Sequence, residues 1–582
     1  MRRRTALRRT AATAAVATGL TALALTAGTP AGAAPQPDKG AGPKPVAVQL
    51  LALNDFHGNL EPPGGSSGRV QTGPAVGTAP APTVDAGGVE HLATELRELA
   101  AEQKKNNTIT VAAGDLIGAS PLLSAAFHDE PTIEALGMAG LDYASVGNHE
   151  FDEGAGELLR LQEGGCHPVD GCADGTPFAG ADFQYLSANA FVTETGKPLL
   201  PPFAVHKVQG VKVGFIGMTL EGTEQIVSQQ GVAGLDFRDE VRVANRYARQ
   251  LQARGVETIV VLLHQGGNQT GPDAWDVNGC NGLTGPIVDI AEGMSPAIDV
   301  VVSGHTHQAY NCEIAGKLVT SASSFGRLVT DIDLSIDRRT GDVLTATAEN
   351  VVVDRGAKDA GQTALIARYR EALGPIATQV VGTTAEPLTR AQETLFGSTL
   401  GESTLGNVIA DAQLAATDDE QGAVAAFMNP GGVRADLDAG PVTYEEAFTV
   451  QPFANNLVTL DLTGGQLQCL LEQQFQTGRT LYVSDTVRYT VDSNGTTGSA
   501  TDPCVGTRVP DASLTIGGQP VLPGSTYRVT VNNFLAGGGD GFSVLTGGTN
   551  AVTGAIDLDA FTAYLGSSSP VQAPALDRIT VG

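Results

Sequence analysis

Five apolar runs with strand character each end on residues able to bind a metal ion. Residues 46–53 run into Asn54-Asp55-Phe56-His57-Gly58, and 108–112 lead through Ala113 into Gly114-Asp115. Residues 143–146 enter Gly147-Asn148-His149-Glu150-Phe151-Asp152, 258–263 end at His264, and 300–303 end at Gly304-His305-Thr306-His307. Helix-like segments at 88–104, 130–139 and 239–253 alternate with these runs, the pattern of a layered α/β domain. In open α/β sheets the ligand crevice lies outside the carboxyl ends of the strands, so side chains from separate strand ends can converge there.

The residue types fit one chemistry. Two divalent ions about 3.5–4 Å apart need a bridging carboxylate and a mixed shell of imidazoles and oxygens. Asp-x-His puts two ligands on the same side of an extended segment, and His305 with His307 repeats that spacing. Of the nine histidines, His206 lacks such a motif, and His91, His128 and His167 read as ordinary surface or core residues.

A chain of 582 residues is too long for one core, so two large domains are expected. The first residues differ from the rest. Arg2, Arg3, Arg4, Arg8 and Arg9 precede an Ala/Thr/Leu/Val run and then Ala31-Gly32-Ala33, which reads as a secretory signal peptide over 1–33. General secretory export fits better than twin-arginine export, to which Arg8-Arg9 is a loose match. Cleavage removes five arginines and takes the formal charge from −28 to −33. So acidic a chain argues against a nucleic-acid polymer as partner, because phosphate backbones need basic grooves. It does not exclude a small anion, since bound cations reverse the local sign. After the first thirty residues no stretch is apolar and long enough to span a bilayer, so no stable membrane anchor is expected. Six cysteines suit an oxidising compartment. Several sets of pairings are open to them, and proximity favours Cys166–Cys172, Cys280–Cys312 and Cys469–Cys504.

Residues 34–45 are a Pro/Gly/Lys tether, and two polar insertions, 61–86 and 164–180, read as surface loops. The metal-ligand motifs fall within a domain at 46–355. A charged amphipathic linker helix is expected within 356–379, and a second domain, without histidine, at 380–582.

The ordered motifs resemble the calcineurin-like metallophosphoesterases, and within them the secreted bacterial 5′-nucleotidase family. That resemblance implies an N-terminal four-layer α/β/β/α metallophosphoesterase sandwich followed by a C-terminal α+β nucleotide-binding domain. It further implies that Asp55, His57, Asp115 and His307 hold one divalent ion. Asp115 then bridges to a second ion completed by Asn148, His264 and His305. The ions are Zn, Mn, Fe or Co. His149 carries over as a catalytic residue oriented by Asp152, in a mechanism of in-line attack by a metal-bound hydroxide. In the second half, Asn429-Pro430-Gly431-Gly432-Val433-Arg434 resembles the family's phosphate-binding turn. The segments around Phe453 and from Asn533 to Phe542 resemble its nucleoside-binding loops, with Phe453 and Phe534 stacking on the base and Asp540 accepting from the ribose.

The sequence departs from the family at 395–407, where arginines usually precede the helix and none is present. Arg390 is the nearest substitute. An arginine fork fixes phosphate orientation, so the departure leaves two substrate classes open beside 5′-mononucleotides: 2′,3′-cyclic nucleotides and nucleotide sugars. Two further readings are an extracellular nuclease, which suits the metals but not the acidic chain, and a non-catalytic nucleotide-binding module, which would not need His149 and Asp152.

Overall fold

The computed structural model describes residues 44–76, 80–104, 106–227, 230–397, 399–453, 455–499 and 502–582. The signal peptide and nearly all of the tether lie outside the described residues. Residues Pro45–Gly582 form one compact unit.

The first strand, β1 (Val46–Leu53), buries every residue but Ala47, as its unbroken apolar run requires. It joins β2 (Thr108–Ala113), β3 (Tyr143–Ser145) and β4 (Gln184–Leu186) in a parallel series. A second sheet is built from β5 (Phe203–Val208), β6 (Val211–Thr219), β7 (Thr258–His264), β8 (Val300–Ser303), β9 (Ala309–Ile314) and β10 (Lys317–Ala322). The chain then returns to the first sheet as β11 (Leu328–Ile336) and β12 (Val343–Val352). The two orders are β12-β11-β1-β2-β3-β4 and β9-β10-β8-β7-β6-β5. In the second sheet β6, β7, β8 and β10 are parallel, and the edge strands β5 and β9 run against them.

Alternation along the strands makes the layers. Leu50 and Ala52 of β1 pack with Val260 and Leu262 of β7 in a core between the sheets. Leu51 and Leu53 face the other way, onto α1 (Val89–Ala101) and α2 (Glu130–Met138), while Val261 and Leu263 face α3 (Glu240–Gln252). The result is a four-layer α/β/β/α sandwich. Between the sheets, a Cβ on Gly217 of β6 would lie 2.5 Å from the Cβ of Leu186 of β4, so only glycine fits.

Helix α4 (Ala360–Ala377) starts where the Asp359 carboxylate accepts from Gly361 N and Gln362 N. It buries Leu365, Ile366 and Tyr369 against the α1 and α2 layer. Beyond it, a five-stranded sheet contains β13 (Ala425–Met428), β14 (Asn456–Thr463), β15 (Tyr482–Val483), β16 (Thr526–Asn532) and β17 (Thr549–Ile556). Its order is β15-β13-β16-β14-β17. Helix α5 (Thr404–Ala415) packs in one apolar cluster of this half and α6 (Gly464–Thr477) in another. All three proximal cysteine pairs are disulfides.

One loop expectation needs correction. Within 61–86 the chain forms a short hairpin, Arg69–Gln71 against Thr83–Asp85, with Arg69 paired to Asp85. The Arg355 guanidinium holds it down by donating to the carbonyls of Pro63, Gly68 and Ala86. That anchor lies almost 300 residues away in sequence, so local turn chemistry did not reveal it.

Leu262 is fully buried between the sheets. Leu262→Ala is expected to cost about 2–5 kcal/mol. The edge-strand control Val205→Ala, at a residue 36% exposed, should cost about 0.5 kcal/mol or less. Denaturant melts of the two variants beside the parent chain check this.

Candidate metal centre

The five strand-end loops meet. Asp55 and His57 follow β1, Asp115 follows β2, Asn148 and His149 follow β3, His264 ends β7, and His305 and His307 follow β8. Asp55, His57 and His307 offer ligand atoms to one point, and Asp115, His264 and His305 offer theirs to another. His57 Nε2 is 3.0 Å from His307 Nε2 and 3.7 Å from Asp115 Oδ2. His307 Nε2 is 3.3 Å from Asp55 Oδ1, and His264 Nε2 is 2.9 Å from Asp115 Oδ2. Asp115 therefore stands within reach of both groups.

The backbone is bent to achieve this. Asp55, His57, Asp115, His305 and His307 all adopt positive φ, between 47° and 71°. This left-handed region is uncommon for residues other than glycine, and it clusters at functional sites because surrounding structure must enforce it. Gly114 and Gly147 permit the closest approach, since a Cβ on Gly147 would lie 2.1 Å from Asp115 Oδ1.

Hydrogen bonds from outside the cluster aim the ligands. His57 Nδ1 bonds Gly118 O at 2.8 Å and His264 Nδ1 bonds Ala113 O at 2.8 Å, so both rings turn Nε2 inward. The Asp55 carboxylate accepts from His305 N at 3.0 Å and from Asn54 Nδ2 at 2.6 Å. Burial lowers His57 to about 3 and His305 to about 4 against the opposing pull of Asp115, which disfavours a proton on either ring. Burial also opposes charge on Asp55 and Asp115, yet the histidines around them hold both carboxyls below the usual range.

The donor set fits divalent cations. Asn148 is buried and its Oδ1 has no hydrogen-bond partner, an orphan that a cation would satisfy. His264 Nε2, though close to Asp115, lacks hydrogen-bond geometry, as expected of two ligands of one ion.

His149 stands beside this cluster, its ring 5.1 Å from that of His57. Its Nδ1 bonds Asp152 Oδ2 at 2.7 Å. Burial works against a charged His149, but Asp152 and Asp115 outweigh it and raise the ring to about 10. Among residues that motif reading passed over, Glu150 is the most consequential. Its buried carboxylate accepts from Asp115 N, Leu116 N and Gly147 N, tying two ligand loops together. Asn54 likewise reaches Ser323 O and Ala322 N. The Asn-His-Glu motif contains Glu150 but does not show its partners, two of which lie on the Asp115 loop. His206 lies on edge strand β5 and bonds Tyr143, away from the cluster.

The second set lies in the C-terminal half, where two pairs of its residues are in contact. Asn429 Nδ2 donates to Asp540 Oδ2 at 3.0 Å, and the Arg434 guanidinium sits 5.7 Å from the Phe453 ring centre. Phe453 and Phe534 are large apolar side chains left 45% and 48% exposed. Arg479, which carries no motif, lies 3.4 Å from Asp540 Oδ1, so both oxygens of Asp540 are engaged. In the arginine-free stretch, 394–396 and 399–400 pair as a small hairpin. Arg390 precedes that stretch, and its backbone N donates to the Asp436 carboxylate.

Comparison with known proteins identifies the family. The calcineurin-like phosphoesterase family model matches residues 48–309, and that of the 5′-nucleotidase C-terminal domain matches 380–547. The chain belongs to the 5′-nucleotidase family of calcineurin-like metallophosphoesterases, a family of metal-dependent phosphoester hydrolases. It is 34% identical over 90% of its length to endonuclease YhcR of Bacillus subtilis, and spans 40% of that protein. It is 26% identical over 76% of its length to the 5′-nucleotidase of Vibrio cholerae, and spans 79% of it. The crystal structure of a 5′-nucleotidase precursor from Thermus thermophilus superposes with a TM-score of 0.54 at 27% identity. That match covers 92% of this chain and 99% of the other.

Glu150→Gln replaces an acceptor oxygen with a donor against three backbone N–H groups. It should weaken metal binding by about 10–100-fold, read by titrating metal into chelator-treated protein.

Proposed function

We propose that the chain is a secreted two-metal phosphoesterase that hydrolyses nucleotides, releasing phosphate and nucleoside. The observation that carries this reading is the position of Asp115 between two groups of ligand atoms on converging strand ends. Asp55, His57, Asp115 and His307 would hold one divalent ion, and Asp115, Asn148, His264 and His305 the other, with Zn, Mn, Fe or Co suited to these donors. Such ions lower the pKa of a bound water towards about 7 and neutralise charge on phosphoryl oxygens.

The chain's own groups do the rest. Asp152 fixes the His149 ring through Nδ1, leaving Nε2 to donate a proton to the leaving oxygen. Glu150 and the left-handed loops keep the ligands in place while charge redistributes. Phe453 and Phe534 offer exposed faces on which a base of any identity can stack. Asn429, Arg434 and Asp540 would position phosphate and ribose, for which one contact of Asp540 must give way. The relatives named as 5′-nucleotidases support the monoester reading.

The work divides between domains at 46–355 and 380–582, joined by a linker helix within 356–379. Each side has its own sheets and apolar clusters. Secretion is supported by the N-terminal signal pattern and three disulfides. No helix among the described residues is long and apolar enough to cross a membrane.

A second reading rests on the absence of arginine from 395–407. With fewer guanidinium groups to fix a terminal phosphate, a cyclic nucleotide or a nucleotide sugar becomes a competing substrate. Chelator-stripped protein reconstituted with single metals and offered AMP, cyclic AMP isomers and UDP-glucose decides between them. Phosphate release from AMP alone supports the monoester, and turnover confined to the others overturns it.

His149→Ala should lower turnover by about 10²–10⁴-fold while both ions are retained; loss of metal in this variant would refute the proton-donor role. Phe453→Ala and Phe534→Ala should each weaken nucleotide binding by about 1–3 kcal/mol. That loss should appear in KM for AMP and leave cleavage of a small chromogenic phosphate ester unchanged.

A further inference from the structure

A second group of metal-binding side chains lies outside the strand-end cluster, on residues that sequence patterning treats as incidental. His128 occupies the turn before α2 at a φ of 51°, and its neighbour Asp129 is fixed by accepting from Gly118 N and Ser124 Oγ. His167 and Asp170 lie in the loop closed by the Cys166–Cys172 disulfide. Glu153 follows Asp152 directly. These three chain segments bring two imidazoles face to face, with ring centres 3.8 Å apart and planes 16° from parallel. The side chains of His128 and His167 are only 18% and 14% exposed, whereas Asp170 is 59% exposed at the rim.

The hydrogen-bonding pattern assigns the nitrogens. His128 Nδ1 faces Glu153 Oε2 at 2.7 Å and His167 Nε2 faces the same oxygen at 3.9 Å. The opposite nitrogens face Asp170 instead, with His128 Nε2 3.1 Å and His167 Nδ1 3.2 Å from Asp170 Oδ2. His167 Nδ1 also accepts from Asp170 N at 3.1 Å, so in the neutral ring its proton sits on Nε2, towards Glu153. Each imidazole thus turns one nitrogen to a shared orienting carboxylate and the other to a second carboxylate. A carboxylate on the far nitrogen orients an imidazole for a metal, and Glu153 does this for His128 by a hydrogen bond to Nδ1. The separations to Asp170 compare with about 3.3 Å between ligands on a tetrahedron of 2.0–2.1 Å bonds, as around zinc.

We propose that His128 Nε2, His167 Nδ1 and Asp170 Oδ2 form a third cation site, distinct from the strand-end centre, that takes a divalent transition metal of the zinc class. Two nitrogens and one oxygen favour such an ion over calcium or magnesium, which prefer all-oxygen shells. Binding requires the rings to open from their parallel stack, because the ion must lie in the plane of each. It also displaces the Asp170 N–H from His167 Nδ1. The ion would join the disulfide loop to the turn before α2 and fix Glu153. Glu153 adjoins Asp152, the residue that orients His149, so occupancy would steady the catalytic pair without touching substrate.

The test counts zinc in the full chain. Protein stripped with chelator, reloaded with Zn²⁺ and desalted is assayed for metal by plasma emission, as parent and as H128A/H167A. The proposal expects one Zn²⁺ per chain fewer in the variant, with metal-dependent ester hydrolysis still present. Equal zinc in the two proteins overturns it. Asp170→Asn, at a rim residue whose loss should not impair folding, should weaken binding of the last Zn²⁺ at least about 10-fold in a calorimetric titration. An unchanged isotherm also overturns the proposal. Because the readout is the difference in zinc, failure here leaves the two-metal reading of the strand-end centre standing, and failure of that reading leaves the difference measurable.

Discussion

Asp55 and Asp115 place two carboxylates at the ends of adjacent parallel strands, almost wholly removed from water. Burying a carboxylate costs several kcal/mol unless it is paired and hydrogen-bonded. Among the described residues their ion-pair partners are histidines, with no lysine or arginine nearby to neutralise them. Much of the surrounding structure follows from this demand. Backbone N–H groups of His149 and His305 point at the two acids, and Glu150 holds the loop that carries Asp115. Rings fixed through their outer nitrogens turn the inner ones towards the same space. The two acids are thereby paired and hydrogen-bonded, and the sandwich is the frame that holds the strand ends together.

The strand ends were legible because strands buried on both faces are written as unbroken apolar runs, and each run stops at a polar residue. Val46–Leu53 and Val300–Ser303 have the bounds that their sequences imply. The helices at 89–101, 130–138 and 240–252 fall within the helix-like segments that alternate with the apolar runs. What the sequence withheld was contact between distant residues. That β11 returns to pair with β1 depends on a register between residues more than 270 positions apart, which no local pattern encodes. The roles of Glu150 and Asn54 were hidden for the same reason, since their partners come from other loops.

The C-terminal half was legible in a different way. Motif resemblance singled out Asn429, Arg434, Phe453, Phe534 and Asp540, and the structure sets Asn429 against Asp540 and Arg434 beside Phe453. It adds Arg479, brought to Asp540 by the turn that ends α6 at Gly478. That guanidinium belongs to no recognisable pattern, so a scan for arginines before the α5 helix passes it by. The scarcity of positive charge is therefore milder in space than in sequence.

The left-handed backbone at Asp55, His57, Asp115, His305 and His307 has an evolutionary meaning. Aspartate, asparagine and histidine are both good metal ligands and the non-glycine residues most at ease with positive φ. Selection on these loops is thus doubly constrained, and the alphabet available at each position is short. A β-branched or bulky residue at any of them would strain the backbone as well as remove a candidate ligand atom.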